Sequence, residues 1–275
     1  MLQQSLTFFV NWFSNPNVAA MGLALLLGAF WYALYRPPLR GYAFLWAVMG
    51  VSAILTLLAV VVVQIPLQGL VGMGIAALFT QSTIQTWIYI LGIPQIALSG
   101  IVQEGAKLLP IIYVWRQADH DLAPKVGLIV GAAAGVGFGA FEAMWVFNQA
   151  YAGGWTVTAI QAGSFTSLTP LWERVFVVAG HTAFTALAGY GLATGRGWLF
   201  YLIAAGLHSL VNYTIVLLQA GLISNTTVEV LIALIAVAAT AWALFLRYSG
   251  EGAPWSSAYR RRLHLGKEPS EYAKQ

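Results

Sequence analysis

The chain has 275 residues, 59% of them hydrophobic and only 8% charged, with a mean hydropathy of +0.75, which marks a polytopic membrane protein rather than a water-soluble one. Cysteine is absent, which excludes disulfides, thiolate metal sites and cysteine nucleophiles; any metal would need His and carboxylate ligands. The formal net charge of +4 calls for no nucleic acid, because basic loops and a basic tail account for it.

The N-terminal stretch MLQQSLTFFVNWFSNPN has neither a basic leader nor a small-residue cleavage site, so it is expected to remain in place. Apolar runs then predict an all-α transmembrane bundle of about seven spans, over 17–35, 41–63, 86–116, 125–150, 172–194, 198–220 and 226–247. The uncharged, Gly-interrupted segment 66–84 reads as extramembrane or half-inserted, or else as a short eighth span. Residues 1–248 are thus expected to form one integral membrane domain, with 249–275 a flexible basic tail in which Arg260, Arg261 and Arg262 can touch anionic lipid.

Cations fall in alternate loops. Arg36 and Arg40 follow the first span, Arg116 and Lys125 separate the third and fourth, Arg196 separates the fifth and sixth, and Arg247 opens the tail. Loops 64–85, 151–171 and 221–225 carry none, so the N-terminus is expected outside and the C-terminus in the cytoplasm. Only Lys107 and Arg174 depart from the pattern. Glu173 and Arg174 read as an interfacial anchor pair, and Asp119, His120 and Asp121 as a solvated turn.

Four ionisable side chains interrupt the spans: Glu104 in GIVQEGAKLLP, Glu142 in GFGAFEAMW, His181 in VAGHTAF and His208 in AAGLHSLVNY. A carboxylate at the centre of a membrane helix costs on the order of 3 kcal/mol, so this placement marks a site. At about 1.5 Å per residue from the nearest cytoplasmic cations, Glu104 and His208 lie about 18 Å deep, His181 about 22 Å and Glu142 about 26 Å, all between the middle and the outer third of a roughly 30 Å core.

Their neighbours refine the picture. Glu104 and Lys107, three apart, share a helical face and can form an ion pair. Glu142 has Phe138, Gly139, Ala143 and Val146 around it and no cation within a turn, so it must be protonated or find a partner on another helix. His208 and Asn212, at i and i+4, can hold a water or an oxyanion, and Thr185 stands in the same relation to His181. Gly131, Gly135 and Gly139 form a strip that admits a second helix or an extended substrate to the backbone.

Two hydrolytic chemistries use such a set. In one, a glutamate is general base for a water that attacks a peptide carbonyl, while His and Asn donate to the oxyanion. In the other, the two His and a glutamate, with Glu142, His181 and His208 as the candidate ligands, hold a divalent metal such as zinc that acidifies the water, and the other glutamate is the base. A proton relay or cation site of an ion-coupled transporter uses the same groups, although no internal repeat or matching broken helices support it.

In order, QEGAK (103–107), FGAFE (138–142), the His181 segment and HSLVN (208–212) resemble the PrsW and YhfC families of intramembrane peptidases, distant relatives of the CAAX-processing and bacteriocin-immunity (CPBP) membrane proteases. The resemblance covers about 95–215, with a peptidase-like core over 86–220. It implies an intramembrane peptidase of a prokaryotic plasma membrane, acting on membrane-embedded or membrane-anchored protein substrates. It further implies catalytic roles for Glu104, Glu142, His181, His208 and Asn212, supported by Gln103, Lys107, Phe138 and Thr185. Where those families carry paired glutamates this chain has Gln103 and Glu104, so the base is either Glu104 or Glu142, or else the chain keeps the fold and binds without cleaving, as a scaffold.

Overall fold

The computed structural model describes residues 14–150 and 169–249. The basic tail, the N-terminal stretch before residue 14 and most of loop 151–171 lie outside them. Among the described residues every regular element is helical, and six helices are long and apolar enough to cross a membrane, with a shorter apolar helix before them. The protein is an all-α integral membrane bundle.

The short first helix, α1 (Val18–Ala33), is capped by Asn17, whose side chain accepts from the Ala20 N–H at 3.1 Å. The second span begins with α2 (Phe44–Leu57), widens into a π-helical stretch over Leu58–Gln64 and continues as α3 (Ile65–Leu78). Segment 66–78, read from the sequence as extramembrane or half-inserted, is therefore the far end of one 35-residue rod, Phe44–Leu78, roughly 52 Å long and longer than a bilayer core. The wide turns just ahead of Pro66 account for the continuity, since they relieve the clash its ring makes with the preceding turn.

Two short helices, α4 (Gln81–Thr86) and α5 (Ile88–Leu91), lead into α6 (Ile93–Gln117). The last four are α7 (Pro124–Ala150), α8 (Thr169–Ala193), α9 (Gly197–Gln219) and α10 (Asn225–Tyr248). Asp119 and His120 make the turn between α6 and α7 with positive φ and are exposed, as a solvated turn should be.

The centre of the bundle is the α7–α8 pair, 83% and 72% buried along their apolar stretches, against 28–39% for the other spans. The glycine strip explains the pairing. A Cβ at Gly127 would collide with the Gly189 carbonyl, one at Gly131 with that of Thr185, and one at Gly135 with that of His181, so the two backbones touch. The strip thus receives a helix. Helices α1 and α2 cover α7, α9 and α10 cover α8, and α6 closes the ring against α7 and α9. Outward-facing Leu26, Trp46, Val62, Leu202 and Phe245 are exposed, which suits lipid rather than water as the surrounding solvent.

Candidate functional site

Four helices contribute: α6 brings Gln103, Glu104 and Lys107, α7 Phe138 and Glu142, α8 Arg174, His181 and Thr185, and α9 His208 and Asn212. Because α7 and α8 meet at glycines, the His181 ring can lie beside Gly139, where an added Cβ would be 2.9 Å from the His181 Cβ.

Glu104 is wholly buried and fully engaged. Lys107, equally buried, donates to Oε1; His208 Nδ1 lies 2.8 Å from the same oxygen, and the Thr185 hydroxyl donates to Oε2 at 3.0 Å. A buried charge pair is tolerable only when its remaining lone pairs and protons are used, and here they are. Lys107 Nζ also bonds His181 Nδ1 at 2.8 Å and sits 4.8 Å from the centroid of the Phe138 ring. Phe138 in turn lies against the His181 ring, with centroids 5.4 Å apart.

These contacts set tautomers. An ammonium has only donors, so His181 Nδ1 accepts and its proton is on Nε2. Glu104 accepts from His208 Nδ1–H, which leaves Nε2 as the second working nitrogen of His208. The two rings stand 5.1 Å apart, edge to face.

Glu142 finds its partner on another helix. Arg174 Nη1 donates to Oε1 at 3.0 Å, and His181 Nε2 lies 3.0 Å from Oε2 without hydrogen-bond alignment. Arg174 also bonds Glu173 and is only 7% exposed, so it is not the interfacial anchor its position at a span end suggested. The cause is the crossing of α7 and α8, which folds the start of α8 over Glu142. The signal was present in the sequence: Arg174 and Lys107 alone break the loop charge pattern, and both prove to be counter-ions of the intramembrane glutamates, Glu142 and Glu104.

A cleft of about 140 Å³ opens beside these groups, lined by Gln103, Glu142, Arg174, His181, His208 and Asn212 among apolar side chains. Glu104 does not line it. Asn212 donates one amide proton to Ser99 Oγ at 2.9 Å, a partner that the sequence did not suggest.

A metal would find donors of the right type here. One ligand atom each from Glu104, His181 and His208 lies within 4.8 Å of the others. The carboxylate that groups with both imidazoles is therefore Glu104, whereas the sequence pointed to Glu142. Lys107 already supplies a cation to two of the three side chains, so a bound metal would have to displace its ammonium.

A sequence model described as the PrsW family of intramembrane metalloproteases matches residues 39–241, a longer stretch than the motifs span. No curated protein and no solved structure matches the chain.

Proposed function

From the premise that this chain belongs to the PrsW family of intramembrane metalloproteases, we propose that it hydrolyses peptide bonds of membrane-embedded or membrane-anchored protein substrates, with Glu142 as general base. One observation carries the choice of base: Glu142 lines the cleft and has an oxygen without a hydrogen bond, while Glu104 is sealed behind Lys107, His208 and Thr185. On this reading Gln103, where related families have glutamate, does not remove the base.

The Glu142 carboxylate takes a proton from a water in the cleft, whose oxygen bonds to the substrate carbonyl carbon as the C=O electron pair moves onto oxygen. The oxyanion accepts the second amide N–H of Asn212, joined by the His208 ring when Nε2 as well as Nδ1 carries a proton. Collapse breaks the C–N bond, and Glu142 returns its proton to the leaving nitrogen. Arg174 holds Glu142 by Oε1, leaving Oε2 for the water, and the His181 Nε2–H stands beside that oxygen. Glu104 is a positioning residue that fixes His208 and Lys107. A divalent metal such as zinc, where bound, would be held by Glu104, His181 and His208 and would supply carbonyl polarisation and a more acidic water.

The motif order further resembles the YhfC and CPBP proteases. We place the N-terminus outside and the C-terminal tail in the cytoplasm of a prokaryotic plasma membrane, with residues 1–248 as one membrane domain. Glu142→Gln tests the base: cleavage of a transmembrane substrate in liposomes should fall about 10²- to 10⁴-fold at a temperature where the melting curve shows the variant still folded. Undiminished cleavage would remove Glu142 from that role. If the wild-type protein cleaves nothing but binds the substrate, the non-catalytic scaffold reading that Gln103 raises takes its place.

A further inference from the structure

Gln103 ends a chain of glutamine side chains that crosses from α6 to the second span and back. The backbone carbonyl of Gln95 can only accept, and it takes a hydrogen bond from Gln68 Nε2 at 2.8 Å. That fixes the orientation of the Gln68 amide, whose Oε1 faces Gln64 Nε2 at 3.4 Å. Gln64 therefore presents its own Oε1 to Gln103 Nε2, at 2.9 Å. Each amide is polarised in the same sense, and the chain ends on Gln103 Oε1, a buried acceptor with no partner on a side chain that lines the cleft. Gln64 closes the π-helical stretch Leu58–Gln64, and wide turns of this kind, which re-aim a side chain, recur at functional sites. An acceptor left unpaired in a membrane interior is costly, and one held unpaired on a side chain that lines a cleft implies a donor arriving with the ligand.

Resting on the peptidase reading above, we propose that Gln103 Oε1 receives a backbone N–H of the substrate beside the scissile bond, so that the segment presented to Glu142 is extended and unwound. A helical substrate has no N–H to give, because its backbone donors are already bonded to carbonyls four residues back. Gln103 is then a substrate-binding residue and Gln64 the positioning residue that keeps its amide from flipping.

The test uses the full chain in nanodiscs and a transmembrane substrate peptide, compared with versions in which single amides flanking the scissile bond are replaced by esters. One ester position should cost the wild-type protein about tenfold in kcat/KM, the loss expected for one such hydrogen bond. Gln103→Leu should lose about tenfold on the all-amide peptide and be indifferent to that ester. Gln64→Leu should raise KM more than it lowers kcat and weaken the ester effect, and it serves if Gln103→Leu fails to fold. An ester penalty in Gln103→Leu as large as in wild type, or no sensitive position at all, overturns the proposal. Should the wild-type protein cleave nothing, the peptidase reading fails separately. Binding of the same amide and ester peptides, by fluorescence anisotropy, to proteins with and without Gln103→Leu then reads the contact directly, as the same tenfold difference in Kd or its absence.

Discussion

Lys107→Met is the most informative single perturbation of the buried centre, because it removes one charge and little volume. Both members of the Glu104–Lys107 pair are fully buried, and removing one partner of such a pair typically costs about 3–5 kcal/mol. The Phe138 contact adds up to about 2 kcal/mol of cation–π attraction, and the loss strips His181 Nδ1 of its donor. Against this, Glu104 keeps the His208 and Thr185 donors, so the lower part of the range, about 3 kcal/mol, is expected. Glu104→Gln should cost a similar amount alone. The double variant leaves no unpaired charge and should recover about 2 kcal/mol of the summed losses, as residues in one network do. Equilibrium unfolding in mixed detergent–SDS micelles, followed by tryptophan fluorescence, measures all three. A Lys107→Met loss under about 1 kcal/mol, with additive singles, would refute the claim that the pair depends on mutual compensation.

Removing Lys107 also vacates the cation position among Glu104, His181 and His208, so Lys107→Met should bind Co²⁺ more tightly than wild type, seen as visible d–d absorption; equal affinities would show that the ammonium does not compete for those donors. Arg174→Met leaves Glu142 and Glu173 without their shared cation, and both stability, by about 3 kcal/mol, and substrate cleavage should fall, with Arg174→Lys restoring part of each; a normal melting curve and normal cleavage would return Arg174 to a surface role. Gly135→Val places a side chain on the His181 carbonyl and should destabilise the protein by about 3 kcal/mol or prevent its insertion, read by thermal melting and membrane yield, whereas the same change at Gly74, which has open space around it, should be nearly silent.

Whatever depends on composition and on spacing along one helix was legible in the residues alone. The membrane class followed from apolar runs, the Glu104–Lys107 pair from an i,i+3 spacing, and the glycine strip from its four-residue repeat. Each is borne out, because neighbours on one helix are fixed by its 3.6-residue turn whatever surrounds it. Contacts between helices emerged only from the packing: that Arg174 reaches Glu142, that Thr185 and His208 serve Glu104, and that Glu142 rather than Glu104 borders the cleft. Those contacts depend on how far each helix is rotated and at what angle it crosses the next, and here that is set by backbone contact between α7 and α8, a quantity that no spacing within a single helix contains.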